Sequence, residues 1–178
     1  MRRTELGQFF LRSPDVAERL ANLAELDCAD SVLDVGAGLG TLSRAVAGRG
    51  NRICAVEKDH RLTEILRASL APFDERAQVV MDDIREVDLE KYLPDSTVLV
   101  SILPFDWRLA SDITVSVFSH AAKIARGLAV IPIPTLDQLT ASSWHEAGLR
   151  LEEVDGISRA EFWPEPPVLL RVVTINRG

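Results

Sequence analysis

Apolar positions along this chain switch repeatedly between two periods. Over residues 14–26, Val16, Leu20, Leu23 and Leu26 recur at helical spacing, and Ser13-Pro14-Asp15 supplies a start signal with proline at the first helical position. Beyond that helix, short apolar runs predict strands over residues 31–35, 52–57, 78–81, 97–102 and 128–131. Helical patterns follow them over 39–47, 61–70, 111–125 and 136–147, with stops at Gly48 and Gly50, before Pro72, near Gly127 and at Gly148. Two last strands are expected over 149–154 and 168–175, too close together for a helix between them, so they should run antiparallel to each other. Seven strands alternating with helices predict an α/β fold, Rossmann-like, with a mostly parallel seven-stranded sheet covered by helices on both faces. Ligands in such a sheet bind at the carboxyl ends of the strands, near the switch in strand order.

The sharpest chemical signal lies where the first of those strands hands over to a helix, at Leu33-Asp34-Val35-Gly36-Ala37-Gly38-Leu39-Gly40-Thr41. Its glycines are spaced G-x-G-x-G, whereas the dinucleotide fingerprint is G-x-G-x-x-G, and Thr41 stands where that fingerprint needs its last small residue. The difference favours S-adenosylmethionine over NAD; a dehydrogenase is the weaker reading. Glu57 closes the next apolar run, and a carboxylate there can accept both ribose hydroxyl protons through its two oxygens. Asp34 has two readings, a brace for the turn or a neighbour of the donor's amino group.

Composition narrows the setting. At 178 residues and 47% hydrophobic content the chain is expected to form one domain over 1–178, with residues 1–30 as a leading segment and helix that cover the cofactor. A formal net charge of −7 argues against a surface that grips nucleic acid mainly through a basic field. No apolar run approaches the length of a membrane helix and no signal-peptide core follows Met1-Arg2-Arg3, which predicts a soluble, cytoplasmic chain with no membrane partner. Cys28 and Cys54 lack metal-ligand spacing, and His60, His120 and His145 form no metal pattern with acidic neighbours, so no metal is expected. Of the histidines, only His60 falls near the ribose loop.

Leu6-Gly7-Gln8-Phe9-Phe10-Leu11, the glycine turn, Ala55-Val56-Glu57-Lys58-Asp59, Asp83 and Leu103-Pro104-Phe105 follow one another in an order and spacing that resembles the ribosomal RNA adenine N6-dimethyltransferases. The resemblance spans roughly residues 6 to 115 and is closest in its first half. It implies a class I fold and an S-adenosylmethionine-dependent methyl transfer to an RNA adenine. It further implies that Gln8 and Leu11 touch the cofactor, that Gly36, Gly38 and Gly40 shape its pocket, and that Glu57, followed by Lys58, holds the ribose. Asp83 would bind the adenine amino group, with Asp82 as the competing partner. Family enzymes use an N-L-P-Y segment at the acceptor, and Ser101-Ile102-Leu103-Pro104-Phe105-Asp106 stands in its place.

In that segment Phe105 is expected to stack on the acceptor while Leu103 and Pro104 shape a carbonyl. Ile102 occupies the position of the family's Asn and can accept no hydrogen bond. Ser101, counted with both the catalytic and the cofactor residues, is one position early and in a regular strand would face the other way. A bulge, or Asp106 beyond the turn, would be needed to restore an acceptor. Phe9 replaces a second family Asn, and no residues are left over for the helical domain that follows the family's sheet. Trp107, Trp144 and Trp163 read either as cover for the core edge or as acceptor-pocket walls. Arg2, Arg3 and Arg12 could give the leading segment a positive face for RNA. Two further outcomes stay open: transfer to a small molecule or protein, and a donor-binding module that acts as regulator or partner without transfer.

Overall fold

The computed structural model describes residues 8–132 and 143–178. In chain order the elements are β1 (Phe10–Leu11), α1 (Pro14–Leu23), β2 (Ser31–Val35), α2 (Thr41–Gly48), β3 (Arg52–Glu57), α3 (Thr63–Leu70), β4 (Ala77–Met81), β5 (Thr97–Ile102), α4 (Trp107–His120), β6 (Ile124–Pro132), α5 (Ser143–Glu146), β7 (Leu149–Ile157), β8 (Phe162–Trp163) and β9 (Leu170–Arg177). Residues 136–142 of the helix expected over 136–147, and Met1, Arg2, Arg3, Leu6 and Gly7, lie outside the described residues.

Seven strands form one sheet in the order β4-β3-β2-β5-β6-β9-β7. Pairings from β4 across to β6 are parallel, and β9 runs antiparallel to both β6 and β7, as the missing helix between the last two strands requires. Alternate residues of each strand feed two separate cores, the period-2 geometry of a sheet covered on both faces. Val32, Ile53, Val98, Val100, Leu128 and Val172 pack under α1 and α2, and Ala55 under Leu66 and Leu70 of α3. Leu33, Val56, Leu99, Ile131 and Val173 meet Ile113, Val117 and Phe118 of α4 and Trp144 of α5 on the other face.

Local chemistry explains the boundaries. The Ser13 hydroxyl caps α1 by accepting from the Val16 N–H at 3.3 Å, as the start signal predicted. The helix expected over 111–125 instead begins at Trp107, because the Asp106 carboxylate accepts from the N–H groups of both Arg108 and Leu109 at 3.0 Å. It ends at His120, since Ala121 turns to an extended conformation and Ile124 already starts β6.

At Gly127 the two inner strands come so close that a Cβ would lie 2.8 Å from Leu99 Cβ and 2.9 Å from the Leu99 carbonyl oxygen. Backbone cannot yield as a flexible side chain can. Gly127→Ala is expected to cost about 1–3 kcal/mol in urea unfolding, through overpacking; a midpoint equal to that of the wild type would show that β5 and β6 part without strain.

A second, unpredicted sheet is small but well placed. β1 and β8 pair antiparallel, Phe10 with Trp163 and Leu11 with Phe162, and the Arg12 N–H extends the ribbon to the Glu161 carbonyl at 2.8 Å. Thr41 at the start of α2 donates its hydroxyl to the Leu11 carbonyl at 3.1 Å. The leading segment is thereby pinned across the tips of the sheet.

Candidate functional site

Strand order reverses at β2, where β3 and β4 lie on one side and β5 and β6 on the other, and a pocket opens at this crevice. The β2–β5 ladder stops at the pair Leu33 and Leu99, so the two strands separate toward their carboxyl ends. Above the gap sits the glycine turn. Gly36, Gly38 and Gly40 all hold positive φ (73°, 58° and 81°), a region that costs an L-residue with a Cβ. Two of the three also have steric reasons to be glycine. A Cβ on Gly38 would lie 3.2 Å from the Phe10 ring, and one on Gly40 would lie 2.9 Å from a Leu66 methyl and 3.1 Å from the Ser69 hydroxyl. Gly36 and Gly38 line the pocket, while Gly40 packs behind it against α3.

Glu57 is buried at the end of β3 and aimed into this turn. One carboxylate oxygen accepts from the Gly38 N–H at 2.9 Å and the other from the Asp59 N–H at 2.8 Å. Each oxygen has a second lone pair, so the group can still accept two hydroxyl protons side by side. The neighbouring loop is held by Asp59, whose carboxyl sits at about 2 because the Arg61 side chain grips it and Gln8 also bonds to it. Gln8 thus joins the leading segment to the β3 loop and lines the pocket with Leu11 and the exposed Lys58.

Asp34 is also buried, and its Oδ2 accepts from the Ser43 hydroxyl of α2 at 2.6 Å. Burial raises its carboxyl to about 7; the Ser43 bond opposes this and the charge of Glu57 adds to it. Asp34 thus ties the end of β2 to α2 through the Ser43 side chain, in place of the bonds to backbone N–H groups of the turn, and is among the residues that line the pocket. Beyond β4, Asp82 and Asp83 both reach the pocket. Asp82 accepts from the Asp83 N–H at 2.8 Å, and Asp83 holds Arg85 through both carboxylate oxygens, which keeps it at about 2.

The opposite end of the pocket is apolar and comes from the tip of β5: Ile102, Leu103, Pro104 and Phe105, with Leu109 and Ile113 of α4. Ser101 is not among these lining residues. Its buried hydroxyl donates to the Val35 carbonyl at 2.7 Å, bridging the two strands where their ladder has ended. Ser101, expected at cofactor and acceptor, is the one expected acceptor-side residue that ties two strands together and does not line the pocket. Asp106, spent on the cap of α4, does not line the pocket either. Sequence reasoning passed over Phe10, which covers Gly38; its place beside Leu11 in a leading apolar cluster was the available signal.

The tryptophans fall outside the pocket lining. Trp144 is core and donates its indole N–H to Ser111, Trp107 lies under Arg108, and Trp163 is about half exposed opposite Phe10. Among the described residues no group of His, Cys, Asp and Glu is arranged to hold a metal ion, and no helix is long and apolar enough to cross a membrane.

Residues 1–177 match the family described as ribosomal RNA adenine dimethylase. The chain belongs to that family. A probable ribosomal RNA small subunit methyltransferase A of Thermococcus kodakarensis is 30% identical over 183 residues, which cover 97% of this chain and 62% of that protein. This dimethylase-family chain spans about three fifths of the length of the curated relatives it matches. The same fold recurs in the crystal structure of the 23S rRNA methyltransferase ErmE, with a TM-score of 0.75 and 24% identity over 95% of this chain and 70% of that one. It recurs in a dimethyladenosine transferase from Plasmodium falciparum, with a TM-score of 0.76 and 15% identity over 95% and 63%.

Proposed function

We propose that this chain binds S-adenosylmethionine in the pocket at the β2–β5 crevice and methylates an adenine of RNA, in keeping with a cytoplasmic role in rRNA modification. One observation carries the reading. Glu57 and the glycine turn form a diol-sized cradle on one side of β2, and the same pocket runs on to the Leu103-Pro104-Phe105 turn at the tip of β5. The tips of β4 and β5 are three strand spacings apart, about 14 Å, a span suited to an extended adenosyl amino acid.

The bound donor supplies an electrophilic methyl group on a sulfonium sulfur. Glu57 orients the ribose, Asp83 or Asp82 accepts from the adenine amino group, and Gln8, Phe10 and Leu11 exclude water from above. Asp34 contributes a carboxyl that ionises readily beside a cation, which lowers its pKa. No nucleophilic side chain is needed, because in-line transfer depends on alignment and on a dry site. Phe105 supplies the aromatic ring at the acceptor end of the pocket. With Ile102 in place of Asn, the acceptors left for the amine's hydrogens are backbone carbonyls of the Leu103-Pro104 turn.

Those same facts favour a second reading, a donor-binding module without transfer, because Ser101 and Asp106 both have other bonds. Incubating the protein with methyl-labelled donor and separate RNA, protein and metabolite extracts decides between them. Label is expected in RNA, at adenine. Label confined to protein or metabolites would move the acceptor, and donor binding without any labelled fraction would leave only the module.

A further inference from the structure

Phe105 does not stand ready for a base. The Phe9 ring already lies on it, centroid to centroid 5.3 Å with only 26° between the planes, a stacked pair. Phe162 meets Phe105 nearly at right angles, also at 5.3 Å, and is itself fully buried, so Phe105 is fixed from within the core. Both Phe9 and Phe105 line the donor pocket and both are only half-buried. A planar ligand inserted between two rings needs about 7 Å, two van der Waals layers, so a base cannot enter while Phe9 keeps its present seat.

We propose that Phe9 is a place-holder and a specificity-determining residue for the acceptor: its ring occupies the stacking face of Phe105 until a flat aromatic ring displaces it. This rests on the reading of the β5 tip as the acceptor side of the pocket. Three features support displacement over a fixed wall. Phe9 precedes β1 and belongs to neither partner of the β1–β8 ladder, so it can swing without breaking a backbone pair. Its partner Phe105 is the better anchored of the two. The neighbouring Ile102 offers nothing polar to an acceptor, so stacking must supply more of the recognition here than it would beside an amide side chain. A non-aromatic acceptor would gain too little from Phe105 to dislodge Phe9. The closed stack also keeps water from the donor end while no acceptor is present.

The test uses the full chain saturated with S-adenosylhomocysteine and adenosine 5′-monophosphate as the probe, followed by proton NMR of the nucleotide's H2 and H8. Stacking moves both signals upfield. Phe9→Ala is expected to bind the nucleotide roughly three- to tenfold more tightly than the wild type, the value of one competing aromatic contact. Phe105→Ala is expected to abolish the upfield shift. Phe9→Leu keeps an apolar side chain without a ring and should tighten binding in the same direction, which guards against a folding defect in the alanine variant. Nucleotide binding that is unchanged or weaker in both Phe9 variants overturns the proposal, because the ring is then a wall. The readout is binding and not transfer. Should no RNA become labelled while the Phe9 variants still bind more tightly, the proposed reaction fails and the place-holder stands.

Discussion

Asp34→Asn is expected to stabilise the protein at pH 8 and to do so much less at pH 5. In the folded chain burial moves the Asp34 carboxyl from the usual 3.8 to about 7. Below pH 3.8 both folded and unfolded states hold the proton and nothing is lost. Between those values the folded state binds more protons than the unfolded one, so stability falls as pH rises, and above about 7 the full penalty stays in place. That penalty is at most about 4 kcal/mol at 1.36 kcal/mol for each pH unit. A neutral amide that still accepts from Ser43 should recover about 2–4 kcal/mol of it, a rise in melting temperature of about 5–10 °C for a chain of this size. Thermal unfolding at the two pH values measures it. A gap of equal size at both would mean that Asp34 does not titrate as its burial requires. The carboxyl is thus a cost to the fold at neutral pH, and its reward lies in what it meets inside the pocket.

Glu57→Ala should weaken binding of S-adenosylhomocysteine by about 1.5–3 kcal/mol, roughly ten- to a hundredfold, if its bonds to the ribose are charge-assisted. Two losses combine. The hydroxyl acceptors go, and the Gly38 and Asp59 N–H groups that Glu57 now satisfies are left without it. Glu57→Gln separates the two, since an amide oxygen can replace only one of the two acceptors. Calorimetry on both variants gives the answer, and an affinity equal to the wild type's in Glu57→Ala would take this residue out of the site.

How far the sequence could be read depended on the length and chemistry of each signal. Every strand of the large sheet announced itself through apolar residues, four in a row in β3 and β6 and interrupted or alternating in the others, and Glu57 through its place behind the run in β3. The β1–β8 ribbon could not be seen this way, because two residues on each side define no period and their partners are about 150 positions apart. Helix α4 was misplaced for a local reason: Asp106, weighed as a pocket acceptor, is a cap, and a cap four residues early moves the whole helix. Ser101 illustrates a different limit. Alternation correctly turned it away from the pocket, but only the separation of β2 from β5 gives its hydroxyl a carbonyl to bind. The face of Phe105 was likewise readable as aromatic, whereas its occupation by Phe9 depends on how the leading segment is pinned.

That pinning has a consequence for biosynthesis. Phe10 and Leu11 emerge from the ribosome about 150 residues before Phe162 and Trp163, the strand that anchors them over the crevice. A nascent chain can therefore assemble β2, α2 and β3 early and still lack a roof for its cofactor until β8 has been translated. A chain released before that point would also be without β9, the strand between β6 and β7, and so would lack both the roof and a complete sheet.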